Sequence, residues 1–284
     1  MIDVKNLTYA YPGKKSPSVK EIQMSIQKGE IFGLLGPSGA GKSTTQKILI
    51  GLLKGYSGSV RVFGKEVRDL QSDYYEKIGV AFEFPNFYSK FSAIENLRHF
   101  SRLYSVETTD PDELLSMVGL WKDRDTKVSA FSKGMKMRLN FCRALLNNPE
   151  IIFLDEPTSG LDPVNGKMMR SKILELKAAG KTIVITTHNM TLAEELCDRV
   201  AFIVDGQIHL IDSPKSLKLQ KGKKTVRIEY MEGNETKEKD FPLSTLKDNS
   251  EFQTLIQSGQ ILTIHTQEAS LEEIFIEVTG RSLL

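Results

Sequence analysis

The stretch Gly36-Pro37-Ser38-Gly39-Ala40-Gly41-Lys42-Ser43 has the spacing G-x-x-x-x-G-K-[ST] in full. Glycines at those places let successive backbone N–H groups turn inward around an anion. A helix starting there adds about half a positive charge at its N-terminus. Lys42 then reaches the outer phosphates of a nucleotide, and the Ser43 hydroxyl can bind Mg²⁺. The chemistry is capture of a polyphosphate.

Ile151-Ile152-Phe153-Leu154-Asp155-Glu156 delivers two carboxylates at the end of an apolar run. Ligands of open α/β sheets sit at the carboxyl ends of the strands. Asp155 is suited to hold Mg²⁺ through water, and Glu156 to orient and polarise an attacking water. His188 follows a further run, Thr182–Thr187, at the same edge. Phe131-Ser132-Lys133-Gly134-Met135 opens an apolar-periodic stretch with Leu139, Phe141, Cys142 and Leu145. Locally it reads as a helix start capped by Ser132. A second anion-binding helix terminus is the other reading.

These groups need a scaffold. Ile31-Phe32-Gly33-Leu34-Leu35 reads as a buried strand feeding a helix from about Lys42 to Leu53. Further buried strands are expected at Ile78–Phe82, Ile151–Leu154, Thr182–Thr186 and Val200–Val204. Helical stretches separate the last three, which implies crossover connections and a parallel sheet. Residues 1–30 read as antiparallel strands around the turn Tyr11-Pro12-Gly13. Residues 86–149 are mostly helical and form a lobe between two strands. After Pro214, Lys215–Lys224 reads as a Lys-rich linker and Glu232–Asp240 as a charged loop. Val226, Ile228 and Tyr230 alternate as in a strand, and Leu271, Ile274, Phe275 and Val278 share one face of a helix.

Taken together, the phosphate loop, Ser132-Lys133-Gly134, Leu154-Asp155-Glu156-Pro157-Thr158-Ser159-Gly160-Leu161-Asp162 and Thr187-His188 resemble the nucleotide-binding subunit of an ATP-binding cassette transporter. The resemblance covers residues 1–215 without a gap. It implies an α/β fold: a P-loop NTPase core with a mainly parallel sheet, N-terminal antiparallel strands and a helical subdomain at about 86–149. Residues 220–284 are then a small C-terminal α+β domain.

It also implies Mg-dependent ATP hydrolysis, with Glu156, His188 and Lys42 as catalytic residues. Tyr11 would stack on adenine, and Gly36, Pro37, Ser38, Gly39, Ala40, Gly41, Lys42, Ser43 and Thr44 would hold the phosphates. Ser43, Glu83 and Asp155 would hold Mg²⁺. Ser132 and Gly134 match residues touching the γ-phosphate of ATP on the opposite subunit, and Asp162 matches the aspartate of the loop linking the two sites. The expected form is a nucleotide-sandwich dimer with a second copy or a paralogue. It would dock on an integral-membrane permease carried by another chain, at the cytoplasmic face of the cell membrane.

Two segments depart from the family pattern. The usual L-S-G-G-Q is Phe131-Ser132-Lys133-Gly134-Met135, and Glu83 stands where glutamine is usual. A carboxylate is the stronger magnesium ligand, but it adds negative charge near phosphate oxygens. For Phe84, Phe87, Tyr88 and Phe91 two uses are open: core of the helical lobe, or an apolar groove receiving a short helix of the membrane subunit. Ser270–Arg281 resembles the ending of export-type subunits, which move drugs, lipids, polysaccharides or sodium. The C-terminal domain reads as a structural or dimer-contacting cap.

Composition sets outer bounds. Within 284 residues, 40% are hydrophobic and 26% charged, enough for a sizeable core. A net charge of +2 gives no basic footprint for nucleic acid, so none is expected as a partner. Cys142 and Cys197 read as reduced thiols, and no apolar run reaches the roughly 18 residues of a membrane span. A cassette ATPase acting on ribosomes or DNA usually has two cassettes or a coiled-coil insertion. This chain has one phosphate loop and no sustained heptads. Glu156 and His188 together weigh against a regulator that binds without hydrolysing.

Overall fold

The computed structural model describes residues 1–14, 16–221, 225–233, 235–267 and 269–282. They form two units, Met1–Ser213 and Pro214–Arg281. In the first, β1 (Ile2–Tyr9) pairs antiparallel with β2 (Val19–Ile26). The sequence alternation breaks between Val4 and Leu7, where the register shifts and Asn6 takes φ 51°. β4 (Ser57–Val62) and β5 (Lys65–Glu66), which the apolar pattern did not single out, extend this sheet in the order β2-β1-β4-β5. Only Val60 and Val62 of β4 are buried, too few for a periodic signal.

The sheet that matters for chemistry contains β3 (Ile31–Leu35), β6 (Ile78–Ala81), β7 (Ile151–Asp155), β8 (Thr182–Thr187), β9 (Arg199–Val204) and β10 (Gln207–Asp212). Its order is β10-β9-β3-β8-β7-β6, with β10 antiparallel to β9 and the other pairings parallel. Every residue of β3, β7 and β8 is buried, as a parallel sheet covered on both faces requires. Each buried Ile, Leu or Phe there contributes about 1.5–3 kcal/mol of transfer free energy. Pairing Leu35 with Thr187, Asp155 with Thr186 and Ala81 with Leu154 brings the four strand ends to one edge.

Helix α1 (Lys42–Leu49) is shorter than the expected Lys42–Leu53. Gly51 at φ 87° stops it: the Leu52 N–H bonds Lys47 O and the Gly51 N–H bonds Ile48 O, a Schellman closure. The short α2 (Ser72–Tyr75) precedes β6. The helical lobe holds α3 (Ala93–Ser101), α4 (Pro111–Met117) and α5 (Lys133–Leu145). A Ser92–Glu95 capping box opens α3, Asp110 and Pro111 open α4, and Ser132 caps α5. α6 (Pro163–Ala178) and α7 (Met190–Leu196) flank β8 in sequence.

The second unit corrects two expectations. Within the supposed linker, Pro214–Lys221 is a helix, α8, and residues 222–224 lie outside the described residues. Proline suits a first helical turn, lysine is a good helix former, and Leu217 is buried. Within the supposed loop, β12 (Glu235–Pro242) pairs with β11 (Thr225–Glu232). Cross-strand charge stabilises that pairing, because Arg227 grips the opposite Asp240 through two hydrogen bonds of 2.7 and 2.9 Å. β13 (Ile261–Gln267) completes the sheet β12-β11-β13, preceded by α9 (Ser250–Ser258). Val226, Ile228 and Phe241 form its small core. α10 (Leu271–Thr279) buries Leu271, Ile274 and Phe275 on the face read from the sequence.

Candidate active site

Between β3 and α1 the chain must wrap an anion while passing close to its own sheet. At Gly36 a Cβ would lie 2.1 Å from the Ile203 carbonyl oxygen. At Gly41, held at φ 107°, it would lie 2.7 Å from that of Ser18. Neither position tolerates a side chain. Lys42 begins α1 and is buried, with Nζ donating to Gly36 O at 2.6 Å and Pro37 O at 2.9 Å. Burial lowers the Lys42 pKa, and the carboxylates of Glu156, Asp155 and Glu83 oppose that shift.

A cleft of about 590 Å³ opens over this loop. Tyr11, Ser38–Thr44, Glu83, Asp155, Glu156 and His188 line it. Its position follows from topology, since all of these but Tyr11, which lies between β1 and β2, lie at or after the ends of β3, β6, β7 and β8. The Tyr11 hydroxyl lies 3.3 Å from Thr44 Oγ1. Gly36 and Pro37 form the loop's base and offer carbonyls to Lys42.

Asp155 points one carboxylate oxygen at Ser43 Oγ, 3.4 Å away, and receives the Thr186 hydroxyl on the other. Burial raises its pKa, against the hydrogen bond from Thr186. Ser43 and Asp155 form an oxygen-only pair beside the phosphate loop, the donor set that suits Mg²⁺ shared with substrate phosphates. Among the described residues no group of three or more His, Cys, Asp and Glu could hold a metal on its own.

Glu156 adopts φ 47°, the left-handed region that costs a non-glycine residue of order 1–3 kcal/mol. Its backbone N–H donates to Thr186 O at 2.9 Å. Its carboxylate accepts from the Thr187 hydroxyl at 2.8 Å and from the His188 backbone N–H at 2.9 Å. His188 Nδ1 lies 2.7 Å from Glu156 Oε1. The carboxylate is therefore anchored by β8 while the mostly exposed His188 ring reaches the cleft.

Ser132, Gly134 and Asp162 do not line this cleft. Ser132 accepts the Met135 N–H at 3.2 Å at the start of α5, and the exposed Asp162 caps α6. Gly134 packs on the turn after Glu156, where a Cβ would meet Gly160 O at 3.1 Å. Sequence reasoning gave no role to Ser18, Thr186 or Thr187. The two threonines stand directly before His188 at a strand end, and that placement was the available signal.

Phe84, Tyr88 and Phe91 are exposed, whereas Phe87 is half-buried and meets Phe100 of α3 edge-on at 6.2 Å, so the aromatic segment divides between lobe packing and surface. Phe84 instead lines a groove of about 560 Å³ with Phe82, Tyr75, Phe100, Leu103 and Arg143. Helix α5 braces this segment: Asn140 Nδ2 donates to Phe82 O at 2.7 Å and Arg143 Nη1 to Asn86 O at 2.8 Å.

A parallel sheet with a phosphate loop, two carboxylates and a histidine at one edge defines a phosphate-loop ATPase. The model of the ABC transporter family matches residues 19–159, and that of the fluoroquinolone efflux ABC transporter C-terminal domain matches residues 224–268. A fluoroquinolones export ATP-binding protein of Mycobacterium tuberculosis is 51% identical over 100% of this chain and 94% of its own length. The bacitracin transport ATP-binding protein of Bacillus licheniformis is 33% identical over 99% of this chain and 97% of its own. A solved dimeric ATP-binding cassette, in a post-hydrolysis state with ADP and phosphate, superposes with TM-score 0.69. It is 29% identical, covering 75% of this chain and 98% of that one. The chain belongs to the ABC transporter family. It is an ATP-binding, ATP-hydrolysing subunit of the export-type group.

Proposed function

We propose that this subunit binds Mg·ATP in the cleft over Lys42 and drives export through a permease on another chain. The observation that carries the reading is the convergence of the phosphate loop, Asp155, Glu156 and His188 at one sheet edge. Ser43, Asp155 and Glu83 are the residues suited to Mg²⁺, which when bound neutralises charge on the transferring phosphoryl group. Lys42 and the loop N–H groups hold the phosphates, and Tyr11 stacks on adenine. Glu156, oriented by Thr187 and His188, takes the proton of the attacking water. His188 contacts the γ-phosphate.

Ser132, Gly134 and Asp162, outside the subunit's own cleft, serve the nucleotide of a facing subunit in a sandwich dimer. Helix α5 supports a route from that dimer to the permease, because it starts at Ser132 and braces the segment after Glu83. The groove beside Phe84 then receives a short permease helix at the cytoplasmic membrane face. Among the described residues no helix is long and apolar enough to cross a membrane. Full-length likeness to the mycobacterial protein and the C-terminal match favour fluoroquinolone-type drugs as cargo.

The test is co-expression with the candidate permease in a drug-sensitive host. Recovery of both chains together, ATP hydrolysis by the complex and raised fluoroquinolone resistance are expected. Unchanged resistance with an active complex overturns the cargo. A pure dimer that neither binds nor cleaves ATP with magnesium overturns the site.

A further inference from the structure

Gln46 is an anomaly of the core. It lies on the sheet-facing side of α1 with Thr45, Ile48 and Leu49, and is 1% exposed. A buried amide is unfavourable unless its polar atoms are bonded. Here one end of the amide lies 3.2 Å from Thr186 Oγ1. The other end, Nε2, has no partner among the described residues.

The surroundings give this residue a use. Thr186 Oγ1 makes a close hydrogen bond to Asp155 Oδ1, and Asp155 Oδ2 faces Ser43 Oγ at 3.4 Å. A threonine hydroxyl has one proton, and the closer acceptor, the Asp155 carboxylate, takes it. Gln46 must then present an N–H to the hydroxyl oxygen, with the amide turned over from its assigned orientation. Turned this way, the chain of donors runs Gln46 Nε2–H to Thr186 Oγ1, then Thr186 O–H to Asp155 Oδ1. Ser43 and Gln46 are three residues apart on one helix face, so α1 addresses the same carboxylate twice. Ser43 meets it directly and Gln46 through Thr186.

We propose that Gln46 is a positioning residue that, through Thr186, fixes the Asp155 carboxylate with Oδ2 turned toward the metal position beside Ser43. This rests on the assignment of Ser43 and Asp155 to Mg²⁺. Such outer partners set the orientation and basicity of the ligand they touch. Gln46 does not line the cleft, and a shape-similar apolar side chain removes only the relay.

The experiment compares wild type, Gln46→Leu and Gln46→Glu by electron paramagnetic resonance titration of Mn²⁺ with a non-hydrolysable ATP analogue. Thermal unfolding of the metal-free proteins is measured alongside. Gln46→Leu is expected to weaken Mn²⁺ binding about tenfold. Its metal-free melting temperature should be unchanged or raised, because an unsatisfied buried polar group has gone. Gln46→Glu, which cannot donate when ionised, should not rescue binding. Equal Mn²⁺ affinity in wild type and Gln46→Leu overturns the role of Gln46 and leaves the metal assignment standing. Absence of Mn²⁺ binding in wild type overturns the metal assignment itself, and this proposal with it.

Discussion

His188 Nδ1 and Glu156 Oε1 are 2.7 Å apart, and the same carboxylate oxygen also accepts the His188 backbone N–H at 2.9 Å. One residue thus holds the acid twice, by ring and by main chain. With Thr187 on the other oxygen, Glu156 has little freedom to turn. These bonds hold the Glu156 carboxylate over the end of β8, with its backbone at φ 47°.

Replacing Glu156 with Gln keeps shape and most hydrogen bonds but removes the base. Turnover should fall about a thousandfold, roughly 4 kcal/mol of barrier. The variant should still bind ATP and accumulate as a dimer, seen as an ATP-dependent shift in size-exclusion chromatography. Wild-type phosphate release from this variant would show that another group activates the water.

Glu83 lines the cleft and forms no hydrogen bond among the described residues. Its charge acts on Lys42. Glu83→Gln exchanges a stronger metal ligand for less repulsion of phosphate, two changes of opposite sign. ATPase activity should therefore stay within about tenfold of wild type, a barrier change of about 1.4 kcal/mol. Complete inactivation would refute the reading of Glu83 as a replaceable ligand.

Much of the framework was legible because buried parallel strands write continuous apolar runs. β3, β7 and β8 are such runs, and the chemistry hangs from their ends. The elements that escaped are those stabilised from outside their own pattern. β12 has one buried residue, Phe241, in eight and forms because β11 lies beside it with complementary charge. α8 looked like a linker because lysines dominate it, yet Leu217 anchors it. Gln46 was illegible for a different reason. Only tertiary packing sets it beside Thr186, 140 residues away in sequence.

Cys142 and Cys197 are the two free cysteines, and both are buried. Burial pushes both thiols well above the ordinary cysteine range. A thiolate is the reactive form, so both should resist alkylation in the folded protein. Iodoacetamide at pH 8 should add nothing to native protein over minutes, and two carbamidomethyl groups once the chain is denatured in guanidinium. Mass spectrometry reads both numbers. Fast modification of native Cys197 would mean that its packing against Gly33 opens; a Cβ there would lie 2.8 Å from Cys197 Sγ.

Lys133 is the signature-segment departure with the clearest electrostatic consequence. Its Nζ lies 3.3 Å from Ser159 Oγ, and its stem lies over Gly160, where a Cβ would come within 2.7 Å of Lys133 Cδ. The first turn of α5 holds Lys133 and Lys136 and no acid, against the preference of a helix N-terminus for negative charge. Removing the cation by Lys133→Gly therefore relieves repulsion in the helix while removing attraction for a facing phosphate. The fold should tolerate it, and the KM for ATP should rise about threefold, roughly 0.7 kcal/mol, the scale of an exposed charge contact. Screening sharpens the test: the gap between variant and wild type should narrow as ionic strength rises from 0.05 to about 0.5 M. A KM rise of the same size at every salt concentration would assign the effect to lost packing on Gly160. No rise at all would mean that the ammonium stays with Ser159 and never meets the nucleotide.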